Sequence, residues 1–307
     1  MRLNLVQRLG RPATAASRTE RALHLALPWV YRRLGKGVFA RATVEFLAFG
    51  IKQAYACLYG ALLLALILGT RFFYPADAPL ARYDFLFLAA VAIQIWLLWA
   101  KFETLDEAKV ILIFHVVGTA MEVFKTAAGS WIYPEESFFR IGGVPLFSGF
   151  MYAAVGSYLA RVSRIFDFAY TQYPPMWTTY LFAAAIYINF FSHHFVIDIR
   201  LGLFAVLILL YGRCWVHYSV YRYRHRMPLV LGFFLVALFI WIAENIGTFA
   251  QAWRYPDQAD GWRLVSLAKL NAWVLLMIIS FVLVTLVNRP NRESERTRPA
   301  PLTRDTG

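Results

Sequence analysis

Charge is scarce in this chain: Asp, Glu, Lys and Arg make up 16% of 307 residues, against 60% hydrophobic side chains. A soluble domain of this length needs more polar surface than that composition supplies, so the bilayer has to be the solvent. Cysteine is nearly absent. Cys57 and Cys214 both lie in apolar runs, which excludes a disulfide framework, a Cys-based zinc site and an iron–sulfur cluster. Proline is missing from the middle of the apolar runs, since Pro28, Pro134, Pro145, Pro174, Pro175, Pro228 and Pro256 all fall at their ends or between them. Helices broken at mid-membrane, a frequent feature of transporters, are therefore not expected. The 17% aromatic content and unremarkable glycine and proline counts exclude disorder and collagen-like repetition.

What the chain does contain is a series of apolar segments of the length that crosses about 30 Å of hydrocarbon as a helix. Eight are expected, near 46–70, 84–100, 110–128, 144–160, 178–197, 199–216, 229–248 and 265–287. The fold class is thus all-α, a polytopic membrane helix bundle. A basic arm occupies residues 1–45, the helical domain 46–288 and a tail 289–307. The arm has nine basic residues against Glu20 and Glu45, and its longest apolar stretch is interrupted by Pro28, too short for a signal peptide. It reads either as an amphipathic element on an anionic membrane surface or as a disordered segment that fixes orientation.

Net charge is +13, from 31 basic and 18 acidic residues. With both termini inside, 22 of the basic residues fall in inner segments and 6 in outer loops, as the positive-inside rule requires of a multi-pass protein in a bacterial inner membrane. The basic charge is accounted for by topology, so no nucleic-acid partner is expected; the lipid bilayer is.

Two stretches repeat. Residues 122–134, EVFKTAAGSWIYP, and 244–256, ENIGTFAQAWRYP, match without a gap at Glu, Thr, Ala, Trp, Tyr and Pro. The same spacing superimposes the first span on the fifth and the second on the sixth, which predicts two parallel four-helix halves, about 46–166 and 167–288. Each half carries a glutamate inside its third span, Glu122 and Glu244, and a carboxylate at such depth tends to mark a functional path. Pairing of Glu122 with Lys125, one turn on, is the structural alternative. Trp131, Tyr133, Trp253 and Tyr255 are expected to mark the membrane interface, where the prolines stop the helices.

More ionisable groups fall at the same level. His193, His194 and Asp198 lie in the short fifth connection and Arg200 comes just after them, while Lys125, Arg140 and Asn245 belong to the same layer. Glu122, Glu244, His193, His194 and Asp198 are the candidate catalytic residues. Lys125, Trp131, Tyr133, Arg140, Arg200, Asn245, Trp253 and Tyr255 are candidates for binding substrate. No metal site is assigned, because adjacent histidines on a helix point about 100° apart and no tight two-His spacing is present; the pattern identifies no cofactor. His115, seven residues before Glu122, shares its face and reads as a bundle hydrogen-bonding group or as a second station in a proton path. Gly142 and Gly143 permit unusual backbone conformations, with Pro145 suited to the first turn of a helix. Gly149, Ala153 and Gly156 form a stripe that admits a closely packed helix.

The stretches 124–135, 140–152, 193–200 and 241–248 are similar to signature segments of an uncharacterised bacterial integral-membrane family, domain of unknown function 817. The resemblance covers about 101–287 and implies a polytopic membrane protein with no assigned activity. Two functions remain. One is an enzyme acting on an apolar lipid or isoprenoid, with Glu122 and Glu244 as a carboxylate pair, one protonated and one ionised. The other is a proton- or ion-coupled transporter using the same carboxylates.

Overall fold

The computed structural model describes residues 37–193, 195–221, 223–287 and 290. His194, most of the basic arm and nearly all of the tail lie outside them. The described chain is a bundle of α-helices: α1 (Val38–Ala56), α2 (Leu58–Phe73), α3 (Arg82–Trp99), α4 (Leu105–Ala127), α5 (Phe147–Ile165), α6 (Met176–Ser192), α7 (Arg200–Tyr211), α8 (Leu229–Phe249) and α9 (Leu267–Val287). Four of them, α3, α4, α8 and α9, are long and apolar enough to cross a membrane, and the bent pair α1–α2 makes a fifth. The protein is a helical membrane protein.

Helix occurs in each of the eight expected segments, but eight spans are not shown: α5, α6 and α7 are not among the helices long and apolar enough to cross, and the first and sixth segments depart furthest from simple spans. The first bends by 65° at Cys57, without proline or glycine at the break. The cause lies in the polar residues of α1. Lys52 donates to the carbonyls of Ile165 and Ser219, both at 3.2 Å, and Glu45 accepts from the Tyr221 amide. These partners sit at the end of the bundle, so α1 turns aside to reach them. The sixth segment is cut to the 12 residues of α7, about 18 Å at 1.5 Å per residue.

Beyond α7 the chain departs from the expectation of helix alone. β4 (Trp215–Ser219) pairs antiparallel with both β3 (Ala169–Thr171) and β5 (Arg224–Pro228), a three-stranded sheet at what we call the sheet end. A second ribbon, β1 (Arg140–Ile141) with β2 (Val144–Pro145), turns through Gly142 and Gly143, both at positive φ. Two consecutive positive φ values are what a two-residue hairpin demands, and glycine meets them without strain. Pro145 therefore ends a strand, and α5 begins two residues later.

The two central helices are α5 and α9. α5 packs on α1 to α4, α9 packs on α4, α6 and α8, and the two touch each other. The small-residue stripe on α5 is what admits α4. A Cβ at Gly156 would lie 2.7 Å from the Phe114 ring, one at Gly149 2.4 Å from Thr119 Oγ1, and on α4 one at Gly118 2.7 Å from Tyr152 Cβ. At the sheet end a fully buried Arg161–Glu103 pair ties α5 to the α3–α4 turn. Ser157 and Gln94 also donate to Glu103, and Arg161 reaches the Tyr55 carbonyl at the α1–α2 break.

Candidate functional site

At the opposite end, which carries the 128–146 and 250–266 connections, the two glutamates are held in aromatic cages. Glu122, near the end of α4, is 3% exposed. Its Oε2 accepts from Trp131 Nε1 at 2.7 Å and the Tyr133 hydroxyl at 2.6 Å, and its Oε1 accepts from the Tyr152 hydroxyl of α5 at 2.8 Å. Glu244, near the end of α8, is 4% exposed. The Tyr255 hydroxyl donates to its Oε1, and Trp273 Nε1 of α9 to its Oε2 at 2.7 Å. A carboxylate buried among apolar helices requires such donors; Glu122 draws two from its own connection and one from the next helix, Glu244 one from each. Burial, and then the neighbouring carboxylate, hold the Tyr133 and Tyr255 hydroxyls far above the ordinary phenol value, so both remain donors.

The cages touch. Trp131 meets Tyr255 edge to face at 6.0 Å between ring centroids, and Tyr152 meets Trp273 at 6.4 Å. Between them the backbone of Ile132 pairs with that of Arg254, each amide donating to the other's carbonyl at 2.9 Å. The two acids lie close enough that the charge of Glu244 acts on Glu122. Lys269, one turn before Trp273, places its Nζ 4.2 Å from the Tyr255 ring centroid and 5.6 Å from that of Trp131, and its charge acts on Glu244. Cation–π contact of this kind attracts an ammonium to the ring faces.

Below the cages a narrow apolar crevice of about 20 Å³, room for roughly one water, runs between α4, α5, α8 and α9. Phe114, Gly118 and Met121 form one wall and Leu276 and Met277 the other; Tyr152 and Trp273 close its upper end. Each of those last two side chains thus borders the crevice while donating to a buried acid.

The remaining candidates divide. Tyr133, Trp131 and Tyr255 are buried in the cages rather than marking an interface. Trp253 is not a ligand of Glu244; it packs across Gly247, where a Cβ would lie 2.3 Å from its ring, and Trp273 serves Glu244 instead. The expected Glu122–Lys125 pair is not formed, since Lys125 lies buried with its Nζ 4.1 Å from the Phe190 ring centroid. Arg140 is bound to Glu136 and to the carbonyls of Glu135 and Gly143 in the hairpin, away from the acids. Asn245 clamps the chain before α9, accepting from the Val265 amide and donating to the Trp241 carbonyl.

Asp198 bonds Arg200 and Asn189 rather than joining the cage acids, although Arg200 is near enough for its charge to act on Lys269 and Lys125. Asp198 accepts from Asn189 at 3.1 Å and the Arg200 amide at 2.9 Å, and pairs with the Arg200 guanidinium at 3.1 Å, which organises the start of α7. Burial pulls the Asp198 carboxyl upward, but these hydrogen bonds and the Arg200 and His193 charges outweigh it and hold the group below the ordinary aspartate value. Among the described residues no group of three or more His, Cys, Asp and Glu could hold a metal.

Tyr152 and Trp273 escaped sequence reasoning. The 122-residue offset maps Tyr152 onto Val274 and Trp273 onto Met151, so the repeat flags neither. The available signal was an aromatic side chain with an O–H or N–H inside an apolar helix, which needs a polar partner.

The sequence model of a family described as "Protein of unknown function (DUF817)" matches residues 45–281. The uncharacterised protein YoaT of Bacillus subtilis (strain 168) is 45% identical over 254 residues, covering 83% of this chain and 96% of that protein. No solved structure matches.

Proposed function

Because the chain belongs to the DUF817 family, whose description assigns no activity, we propose a function from the site itself: a membrane-embedded enzyme that uses Glu122 and Glu244 as an acid–base pair on an apolar lipid or isoprenoid. The observation that carries this reading is the double position of Tyr152 and Trp273, on the crevice wall and on the two carboxylates. The crevice is too narrow to hold a lipid chain as it stands, so an apolar chain has to part its walls to bring its reacting end against the Tyr152 hydroxyl, which relays a proton to or from Glu122 Oε1. Two like charges at close range in a low dielectric share one proton, which supplies an acid and a base in one site. The bacterial inner membrane, with both termini inside, is the compartment this reading assumes.

Gene duplication accounts for the pair. Residues 132 and 254, which bond each other, are 122 apart, as are the two acids. The packing of α4 on α5 recurs as α8 on α9, α2 on α5 as α6 on α9, and α2 on α3 as α6 on α7. Two halves related by a pseudo-twofold axis bring equivalent residues together at that axis.

A second reading, proton-coupled transport, is favoured by the proline-free break at Cys57, because discontinuous helices line transporter sites. One experiment separates them. Lipids extracted from cells with the wild-type chain, Glu122→Gln or Glu244→Gln are compared by mass spectrometry. The enzyme reading expects a lipid species that depends on both glutamates. An unchanged lipid profile with altered proton flux assigns transport, and wild-type behaviour of both variants removes both glutamates from function.

A further inference from the structure

The two cages differ in what stands behind them. On α4, His115, Thr119 and Glu122 lie at i, i+4 and i+7 and so share one face. His115 Nδ1 and Thr119 Oγ1 are both buried without a hydrogen-bond partner. They point at the same place: a Cβ on Gly149 would lie 2.5 Å from the first and 2.4 Å from the second. Gly149 of α5 thus leaves the imidazole Nδ1 and the hydroxyl side by side on the α4 face that packs against it, close but not hydrogen-bonded to each other, and Thr119 is one turn from Glu122. Polar atoms left without partners inside an apolar bundle are costly, and such groups in membrane helices tend to serve proton movement. The second half has no counterpart. The offset of 122 places Ala237 and Trp241 where His115 and Thr119 stand, and the Trp241 Nε1 is bonded to the Val265 carbonyl. Glu244 instead has Lys269 within electrostatic reach, its Nζ over the ring of Tyr255 rather than paired with the carboxylate.

We propose that His115 and Thr119 form a proton relay that serves Glu122 alone, so that Glu122 is the carboxyl that exchanges its proton while Glu244, within reach of the Lys269 charge, stays ionised. In the transfer the Nδ1 proton of the imidazolium passes to Thr119 Oγ1, which releases its own proton to the Glu122 carboxylate; the imidazole is left neutral and Glu122 becomes a carboxylic acid. Its Oε1, bonded only to Tyr152, then donates toward the crevice. The titratable groups around Glu122 are Tyr133 and Tyr152, with Glu244 and Tyr255 across the interface, and no charged group among the described residues acts on His115. The assignment rests on the reading of the two glutamates as an acid–base pair, but its test needs no substrate.

The full chain is reconstituted in bilayers and transferred to deuterated buffer, and the infrared band of its protonated carboxyls is followed. The expected band disappears in Glu122→Gln and persists in Glu244→Gln. Its deuterium shift slows roughly a hundredfold in His115→Gln, the scale of a lost general acid–base group, and added imidazole restores it. Thr119→Val slows the exchange and Thr119→Ser does not, which keeps the test decisive if the histidine variant fails to fold. A band that survives Glu122→Gln overturns the assignment. So does wild-type exchange in His115→Gln, or slow exchange that imidazole leaves unchanged, which makes His115 structural. A lipid profile indifferent to the glutamates counts against the enzyme and leaves these spectra as they are.

Discussion

Each buried carboxylate in this bundle is specified by its donors, and those donors decide what it does. Glu122 and Glu244 are ringed by Trp N–H and Tyr O–H groups, so they are satisfied without a salt bridge. Asp198 is of another kind, a helix-start organiser bonded to Asn189 and the Arg200 amide. Its carboxyl is held below the ordinary aspartate value, so the stability it contributes is present above about pH 3.9 and is lost as the pH falls through its folded-state value. Thermal unfolding in detergent between neutral and acid pH checks this. Wild type should lose stability on acidification below that value, and Asp198→Asn should show a smaller loss. Equal losses in both would remove Asp198 from the acid response. Of the caged side chains, Glu122, Trp131, Tyr133, Glu244 and Tyr255 lie in the two matched sequence stretches; Tyr152 and Trp273 lie outside them, one residue out of register with each other at the 122-residue offset.

Among helices, the closest approach is between α4 and α5, and glycine makes it. Gly149, Ala153 and Gly156 were readable as a packing stripe from their spacing, and the structure adds Gly118, whose missing Cβ makes room for Tyr152. The bend between α1 and α2 was not readable, because no proline or glycine marks it; its cause is the set of distant partners that Lys52 and Glu45 find at the sheet end. Arg161 was equally hidden. By sequence it counts as one more positive charge at the inner end of a span, whereas it is wholly buried against Glu103. Removing one member of a buried pair leaves an uncompensated charge, at a cost of about 3–5 kcal/mol. Glu103→Ala and Arg161→Ala should each destabilise the protein on that scale in thermal or denaturant unfolding. A double replacement with apolar residues of similar volume, Glu103→Leu with Arg161→Met, should recover much of the loss. Near-neutral single substitutions would show that the pair does not hold the α3–α4 turn to α5.

Taken whole, the protein is two helical ends with different chemistry: an ion-paired, sheet-capped end and an end where two acids meet above an apolar crevice. The helical membrane character is legible in hydropathy, and the contact between the Glu122 and Glu244 cages involves the two matched stretches. The sheet, the short α7 and the crevice are not legible in the sequence, because they arise from contacts between segments far apart in the chain. The account requires an apolar chain in that crevice with its reacting end at Tyr152 and Trp273. A photoactivatable isoprenoid or fatty-acyl probe tests it directly when labelled peptides of the reconstituted protein are identified by mass spectrometry. Label at Met121, Tyr152 and Met277, lost when Leu276→Trp blocks the crevice, is the predicted result. Label confined to lipid-facing residues such as Ile188 and Leu209, with the crevice residues unmarked, would contradict it.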